Sequence, residues 1–387
     1  MNTGKRLAGV CFGSIMVYGM VLAILGPLLP SIAKTFGLSL AQTGTIFSAD
    51  FFGFVVFTLL SGFLADKYGK KKILAIILFG AFVSLFLLGL SAGFGMMLVF
   101  MFFAGGCCGC LESLASAVLV DNNPSKESFY VNTSQIFFGI GSVLAPVLVG
   151  MALANGLLWK RCYLVLSVLF FVCFVILMTV KVENAPPSET IQFGYIRTII
   201  VNRKVQLLCI CMFCYSGAET CSWGWLSTFL EKEAGFSVMW ASVGVSILWA
   251  FIVAGRVGCL GILSKLDERK IVFSLAFVTA AGMLMLALAK SSALIWAAIG
   301  IIGLGYSAQW PLILAHGLKD WPGYSATVGS VMIGSTALGM TIIPWLAGQL
   351  GDARGIRAAM AFPAIFLMII ALLFIYLLKS DGRKAYT

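Results

Sequence analysis

Charged side chains are scarce in this 387-residue chain. Asp, Glu, Lys and Arg make up only 11% of it, while 60% of its residues are hydrophobic and the mean hydropathy is +1.02. Ordinary soluble domains carry about 25% charged residues. The two or three soluble domains that the length alone would suggest are therefore excluded, and most of the chain is expected to lie in lipid.

Acidic residues and histidine are also few, with 15 acidic residues against 26 basic ones and His316 as the one histidine. The basic residues cluster in short segments between apolar runs, where the positive-inside rule places them, so the net charge of +11 does not indicate nucleic-acid binding. The 11 cysteines lie mostly inside apolar runs, without the spacing of a zinc site or a disulfide framework. We expect no metal and no cofactor.

Catalytic and nucleotide-binding motifs are absent as well. The chain has no loop of the form G-x-x-x-x-G-K-[ST], which argues against a pump driven by ATP. Nothing in the sequence indicates an enzyme.

What the sequence does have is twelve apolar runs, each near the length of about 20 residues that a membrane-spanning helix needs. The first half holds spans 1–6, at roughly 7–30, 43–65, 73–91, 95–121, 128–154 and 160–181. The second half holds spans 7–12, at roughly 204–230, 238–263, 271–289, 293–316, 324–350 and 356–379. Span 1 has a basic start but no small-residue cleavage site, so we interpret it as a retained helix and not as a signal peptide.

The longest polar stretch separates the two halves and begins KVENAPPSET at Lys181. We predict an N-terminal six-helix bundle over 1–182, a cytoplasmic linker over 183–203 and a C-terminal six-helix bundle over 204–387. Lys and Arg are concentrated in the loops on the side of the N-terminus, which predicts that both termini are cytoplasmic. The near absence of regions outside the membrane argues against a sensor that does not transport.

The two halves are similar to each other. When the chain is shifted against itself by 198 positions, a Gly-x4-Pro-x3-Gly pattern of span 5 falls on the same pattern of span 11: Gly141, Pro146 and Gly150 on Gly339, Pro344 and Gly348. A shift of six spans preserves orientation, so the sequence predicts an all-α membrane protein with 12 transmembrane helices in two bundles related by a parallel repeat. A substrate site is expected between such bundles near mid-membrane. The glycines and prolines are either packing positions or bends that help the bundles rock.

The segment between spans 2 and 3 reads GFLADKYGKKK, from Gly62 to Lys72. Gly62 allows close helix contact, and Gly69 permits a tight turn. The spacing G-x-x-x-D-K-x-G-K-K resembles the signature loop of the major facilitator superfamily, as does the twelve-span repeat. The resemblance implies the major facilitator fold and a conformational gate on the cytoplasmic side, made of Gly62, Asp66, Lys67, Gly69 and Lys70.

One acidic residue, Glu219, interrupts the apolar and aromatic stretch CMFCYSGAETCSWGWLSTFL of span 7. Tyr215, Glu219 and Trp223 stand at i, i+4 and i+8, on one stripe of a helix. A carboxylate between two aromatic faces suits a sugar-like or amphipathic ligand, and desolvation favours its protonation. Glu219 is therefore a ligand contact or a proton carrier, or else a neutral acid bonded to a neighbouring helix.

Three more charges fall inside spans: Asp50 in span 2, Glu112 in span 4 and Arg256 in span 8. Each such charge costs about 2.5–3.5 kcal/mol at a helix centre, so most of them serve function. Glu112 follows the glycines of AGGCCGC, which would let a neighbouring helix or a ligand approach. Arg256 would pair with a structural partner, snorkel, or bind an anionic group. The acids expected to couple protons are Glu219, Glu112 and Asp50.

Polar and aromatic side chains at further positions are candidates to line the central cavity, although tyrosine and tryptophan near helix ends also serve as interface anchors. Together with the intramembrane charges, the predicted substrate-binding residues are Tyr18, Glu112, Asn132, Gln135, Tyr215, Glu219, Trp223, Arg256, Tyr306, Gln309 and Trp310.

Three segments narrow the resemblance: YSGAETCSWGWLSTFL in span 7, AGRVGCL in span 8 and IIPWLAGQLGDARGIRAA across spans 11 and 12. They are similar to the fucose:galactose:proton symporter branch and its bacterial relatives. By that similarity Glu219 matches the acid in span 7 of the branch, and Glu112 matches an acid in span 4 that is tied to sugar and proton handling. The fucose carriers of the branch also use a carboxylate in span 1, where this chain has none.

The function expected from these features is secondary active transport of a small polar or amphipathic solute, such as a sugar, across the bacterial inner membrane by alternating access. The proton is the expected co-substrate, the lipid bilayer the expected surroundings, and the protein is expected to be a monomer. The alternative is a proton-driven exporter of drugs or lipids with the same fold.

Overall fold

Helices form nearly all of the structure. The computed structural model describes residues 3–122, 127–180, 198–263, 267–321 and 324–384, and these contain fourteen helices of at least six residues and no β-strand. The first six are α1 Thr3–Phe36, α2 Leu40–Tyr68, α3 Lys70–Gly89, α4 Phe94–Asp121, α5 Glu127–Ala154 and α6 Trp159–Thr179. The others are α7 Arg203–Lys232, α8 Val238–Leu263, α9 Glu268–Leu288, α10 Ser292–Tyr306, α11 Gln309–Leu318, α12 Ser325–Arg354, α13 Ile356–Ala361 and α14 Pro363–Lys384.

Twelve segments of the described chain are long and apolar enough to cross a membrane, with α10–α11 and α13–α14 each forming one of them. Large apolar side chains are exposed on these helices, as at Leu59, Val257 and Leu288. Such exposure is unfavourable in water and ordinary in lipid. The predicted all-α membrane protein with twelve spans is confirmed.

The chain divides into two units. The first contains Met1–Leu38, Thr45–Thr190 and Ser237–Ser246, and the second contains Ser39–Gly44, Ile191–Phe236 and Ile247–Thr387. The beginning of α2 is thus counted with the second unit, and the beginning of α8 with the first. The predicted boundaries at 182 and 203 remain a prediction, because residues 183–197 lie outside the described part of the chain.

Backbone-to-backbone packing joins α1 to α5 in the first unit. A Cβ built on Gly141 would lie 2.2 Å from the carbonyl oxygen of Met16, and one on Gly19 would lie 2.4 Å from that of Phe138. Only glycine fits at such a distance, and glycine at helix contacts is the usual solution in membranes.

The second unit repeats this arrangement between α7 and α12. A Cβ on Gly339 would lie 2.1 Å from the carbonyl oxygen of Phe213, and one on Gly217 would lie 2.3 Å from the Ile343 side chain. Gly217 and Gly339 are the positions that the shift of 198 assigns to Gly19 and Gly141. The packing glycines therefore obey the predicted repeat, and they favour the packing interpretation of the Gly-x4-Pro-x3-Gly pattern.

Two spans are interrupted, although each was expected to be one continuous helix. Span 10, expected as one helix, breaks at Ser307 and Ala308 between α10 and α11. Pro311 favours the break, because proline has no N–H for the carbonyl four residues earlier, at Ser307, and its ring clashes with that carbonyl. A proline alone does not end a helix here, since α1, α5 and α12 continue through theirs. Span 12 breaks at Phe362, directly before Pro363, which occupies the first position of α14 as proline often does.

Candidate functional site

The intramembrane acid of α7 lies in a cluster of hydroxyl and guanidinium groups, which we name the Glu219 cluster: Tyr215, Glu219, Ser222, Arg256 and Tyr306. The Tyr215 hydroxyl is 2.7 Å from Glu219 Oε1 and 3.0 Å from the main-chain carbonyl oxygen of Tyr306. The rings of Tyr215 and Tyr306 meet edge to face, with centroids 5.6 Å apart. Tyr215, which the helical spacing puts on the same stripe of α7 as Glu219, is therefore hydrogen-bonded to the Glu219 carboxylate.

Ser222 extends the cluster one turn along α7. Its Oγ lies 2.9 Å from the Tyr306 hydroxyl and 3.3 Å from the sulfur of Met283. Tyr215 and Tyr306 are fully buried, whereas Glu219 retains 8% of its surface. The hydroxyls of the two tyrosines thus bond to protein atoms, whereas the Glu219 carboxylate keeps a small exposed fraction.

Arg256 connects α8 to the break in span 10. Its Nε donates to the carbonyl oxygen of Ser307 at 3.2 Å, which is the carbonyl that Pro311 cannot serve. The guanidinium also interacts electrostatically with the Glu219 carboxylate. The observed hydrogen bond of Arg256 is thus to the protein backbone, and binding of an anionic group by Arg256 stays a prediction.

Three further residues of the second unit that were predicted to contact the ligand are buried or half-buried in the protein. Trp223 is 1% exposed, and Trp310 is half-buried. Gln309 is fully buried, and its Nε2 donates to Thr279 Oγ1 at 3.1 Å and to the Gly305 carbonyl at 2.7 Å. The amide of Gln309 therefore caps the end of α10. Thr279, Ser307 and Ser222 also bond to these groups, but their hydroxyls lie in apolar segments without a spacing that would mark them in the sequence.

The second carboxylate, Glu112, lies in the first unit. Gln135 of α5 donates from Nε2 to Glu112 Oε1 at 2.7 Å, and both side chains are half-buried. Asn132, one turn earlier on α5, is exposed. The two predicted residues Glu112 and Gln135 are thus brought together.

The third carboxylate, Asp50, lines a small cavity of the first unit. The cavity has room for about one water molecule, with a volume of ≈ 20 Å³. Its lining includes Tyr18 of α1 and Cys108 of α4, and Tyr18 packs against Phe138 with ring centroids 5.5 Å apart. Among the described residues, no hydrogen bond or ion pair of the Asp50 carboxylate is found.

The glycines of AGGCCGC hold α4 against α2. A Cβ on Gly105 would lie 2.1 Å from the Asp50 carbonyl oxygen, and Cβ atoms on Gly106 and Gly109 would meet the rings of Phe57 and Phe54. Of the two alternatives, these glycines accommodate a neighbouring helix. Their packing also fixes the position of Asp50.

A family model described as Major Facilitator Superfamily matches residues 11–336. The chain belongs to the Major Facilitator Superfamily. It is accordingly a multi-pass membrane transporter and not an enzyme, and the resemblance drawn from the loop between spans 2 and 3 is confirmed. In the described residues of this superfamily member, no group of three or more His, Cys, Asp or Glu side chains is placed to hold a metal ion.

Relatives of this superfamily member include sugar transporters. The chain is 24% identical over 393 residues to the L-fucose-proton symporter of Escherichia coli, covering 89% of this chain and 86% of the symporter. It is 24% identical over 385 residues to a glucose/galactose transporter of Brucella abortus, covering 92% and 90%. A crystal structure of a mutant nucleoside transporter NupG aligns over 98% of this chain and 99% of its own, with a TM-score of 0.83 at 15% identity. This last likeness shows the fold.

The signature loop of the superfamily is only partly as predicted. Gly69 has a φ of +91° directly before α3, which is the tight turn expected of it. Lys70 forms an ion pair of 2.6 Å with Asp121 of the same unit, and Lys67 lies over the Tyr68 ring. A Cβ on Gly62 would meet none of the described atoms within 4 Å, so the expected close helix contact is wrong. The side chain of Asp66 lies outside the described part of the structure.

Proposed function

We propose that this superfamily transporter is a secondary active transporter that moves a sugar or a similar small polar solute together with protons. It would work by alternating access as a monomer in the bacterial inner membrane, with both termini cytoplasmic. Relatives at 24% identity named as L-fucose-proton symporter and glucose/galactose transporter support the sugar class.

The observation that carries this proposal is the Glu219 cluster. A carboxylate that retains 8% exposure among buried, hydrogen-bonded tyrosines offers a strong acceptor for sugar hydroxyls. Ligand sites of this kind combine a few fixed polar groups with mostly apolar walls. In the first unit, Glu112 and Gln135 form a second pair of a carboxylate and an amide.

Proton coupling follows from the cost of a charge in the membrane. An ionised Glu219 deep in α7 is unfavourable unless its partners compensate it, and protonation removes that cost. Binding of a proton would therefore favour the conformational change that exposes the site to the other side of the membrane. Release of the proton on the other side would restore the ionised carboxylate.

Binding is tested first by thermal unfolding of the purified protein with L-fucose, D-galactose, D-glucose or a lipophilic cation, at two pH values. We expect stabilisation by at least one sugar. Stabilisation by the lipophilic cation alone would contradict the proposal and favour the exporter alternative.

Coupling is tested by uptake of the stabilising sugar into proteoliposomes with and without a proton gradient. We expect the gradient to drive accumulation by the wild-type protein. Glu219→Gln, which keeps the shape and removes the charge, should still exchange sugar across the membrane but should no longer accumulate it. Asp320→Asn is the matched control, because Asp320 forms a half-exposed ion pair with Lys204 remote in sequence from the cluster. Accumulation by Glu219→Gln equal to that of the control would remove Glu219 from the scheme.

A further inference from the structure

The Tyr215 hydroxyl faces two acceptors but has one proton to donate. Glu219 Oε1 lies 2.7 Å from its oxygen, and the carbonyl oxygen of Tyr306 lies 3.0 Å from it. A phenolic oxygen donates one hydrogen bond and can accept another. Which acceptor receives the proton therefore depends on whether Glu219 itself carries one.

We propose that Tyr215 is a positioning residue that couples protonation of Glu219 to the break in span 10. This inference rests on the proposed function, since it assigns a partner to the proton carrier of that scheme. It makes Tyr215 part of the proton-handling machinery in place of the ligand contact predicted from its spacing.

Two arrangements of protons fit these distances. With Glu219 ionised, the Tyr215 O–H donates to Glu219 Oε1. With Glu219 protonated, the new carboxylic O–H donates to the Tyr215 oxygen, and the Tyr215 O–H turns to the Tyr306 carbonyl. The second arrangement differs from the first by one proton taken up from water, and no heavy atom has to move.

The Tyr306 carbonyl is available because α10 ends there. The last four carbonyls of a helix have no partner within it. The two neighbouring carbonyls already accept hydrogen bonds from side chains. Gln309 donates to the Gly305 carbonyl, and Arg256 donates to the Ser307 carbonyl. Protonation of Glu219 would thus add one hydrogen bond between α7 and the break in span 10.

The tyrosine cannot easily turn away from this position. Its ring is fully buried against the Tyr306 ring, and the Tyr306 hydroxyl is in turn held at Ser222. Among the described residues, the charged and titratable groups that interact with Glu219 are Tyr215 on its own helix, Arg256 from α8 and Tyr306 from α10. On α9, the contact of the cluster is the Met283 sulfur.

Infrared difference spectroscopy of the purified protein during a pH titration tests the inference without a substrate. We expect the carbonyl band of a protonated carboxylic acid that is lost in Glu219→Gln. In Tyr215→Phe, the ionised carboxylate loses a charge-assisted bond and the neutral acid loses a weaker one, so the midpoint of that band should rise by about one pH unit. Tyr306→Phe is the matched control: it removes the same group from the neighbouring ring but keeps the carbonyl, and its midpoint should stay in place.

An unchanged midpoint in Tyr215→Phe, or no band assignable to Glu219, would overturn the inference. A second measurement covers the case in which Tyr215→Phe does not fold: in wild-type protein with isotopically labelled tyrosine, a tyrosine C–O signal should change with the midpoint of the Glu219 band. Absence of that signal would also overturn it. If the wild-type protein transports none of the three sugars, the proposed function fails, while the infrared titration still decides the role of Tyr215.

Discussion

Replacement of Gly339 by alanine should destabilise the second unit severely for so small a change. The added Cβ would lie 2.1 Å from the carbonyl oxygen of Phe213 and 2.9 Å from its carbonyl carbon, whereas ordinary contacts begin at 3.4 Å. To reach that distance, α12 would have to retreat from α7 by about 1.3 Å at this point. The obstacle is helix backbone, which has no rotamer to change, so we place the loss at the upper end of the range for overpacking, about 3 kcal/mol.

The same helix supplies the control. A Cβ on Gly334 meets none of the described atoms within 4 Å, so Gly334→Ala should stabilise the helix by about 0.5–1 kcal/mol through reduced backbone entropy. The free energy of unfolding is measured by chemical denaturation of both variants in the same detergent. Gly339→Ala as stable as Gly334→Ala would refute the close approach of α7 and α12. Gly141→Ala in the first unit should behave like Gly339→Ala if the repeat governs packing.

Two helix caps give further predictions. The Asp352 carboxylate accepts hydrogen bonds from the N–H groups of Leu40 and Ala41 at 2.8 and 2.9 Å, so Asp352→Ala should lower the free energy of unfolding by about 1–2 kcal/mol. Asp320→Ala, which removes a half-exposed ion pair, should lower it by less than about 1 kcal/mol. Equal losses in the two variants would argue against the cap. Asp267 caps α9, and its hydrogen bonds with Arg269 lower its pKa to about 2. A depressed pKa stabilises the fold only where the carboxylate is ionised. Asp267→Ala should therefore lower the free energy of unfolding by about 1 kcal/mol above about pH 4, and this difference from the wild-type protein should vanish as the pH falls towards about 2. A difference that does not change across this range in denaturation experiments would contradict the assignment.

The fold followed from the sequence because the membrane leaves few choices. Apolar runs of sufficient length must be helices, since lipid cannot satisfy backbone groups. The lengths and positions of the apolar runs therefore predicted the twelve spans, and the matching glycines of spans 5 and 11 indicated the repeat. The break in span 10 did not follow from Pro311 alone, because Pro27, Pro146 and Pro344 lie inside helices that continue through them.

The site followed only in part. Helical spacing put Tyr215 and Glu219 on one stripe, and they are hydrogen-bonded in the structure. Spacing along one helix says nothing of the groups that other helices bring, so the roles of the Tyr306 carbonyl and of Ser222 could not be derived. Gly62 shows the reverse case, because a glycine within a family motif suggested packing, but none of the described atoms lies within 4 Å of a Cβ built on it.

The contact of α2 with α4 has a consequence for experiments on motion. Where Gly53, Gly105 and Gly109 let backbone or rings meet without intervening side chains, neither helix can slide along the other without collision. The two helices should therefore move together as one rigid body during the transport cycle. The distance between two spin labels, one on this stretch of each helix, should stay constant through the cycle. It would serve as an internal reference that distinguishes true displacements elsewhere in the transporter from artefacts of labelling.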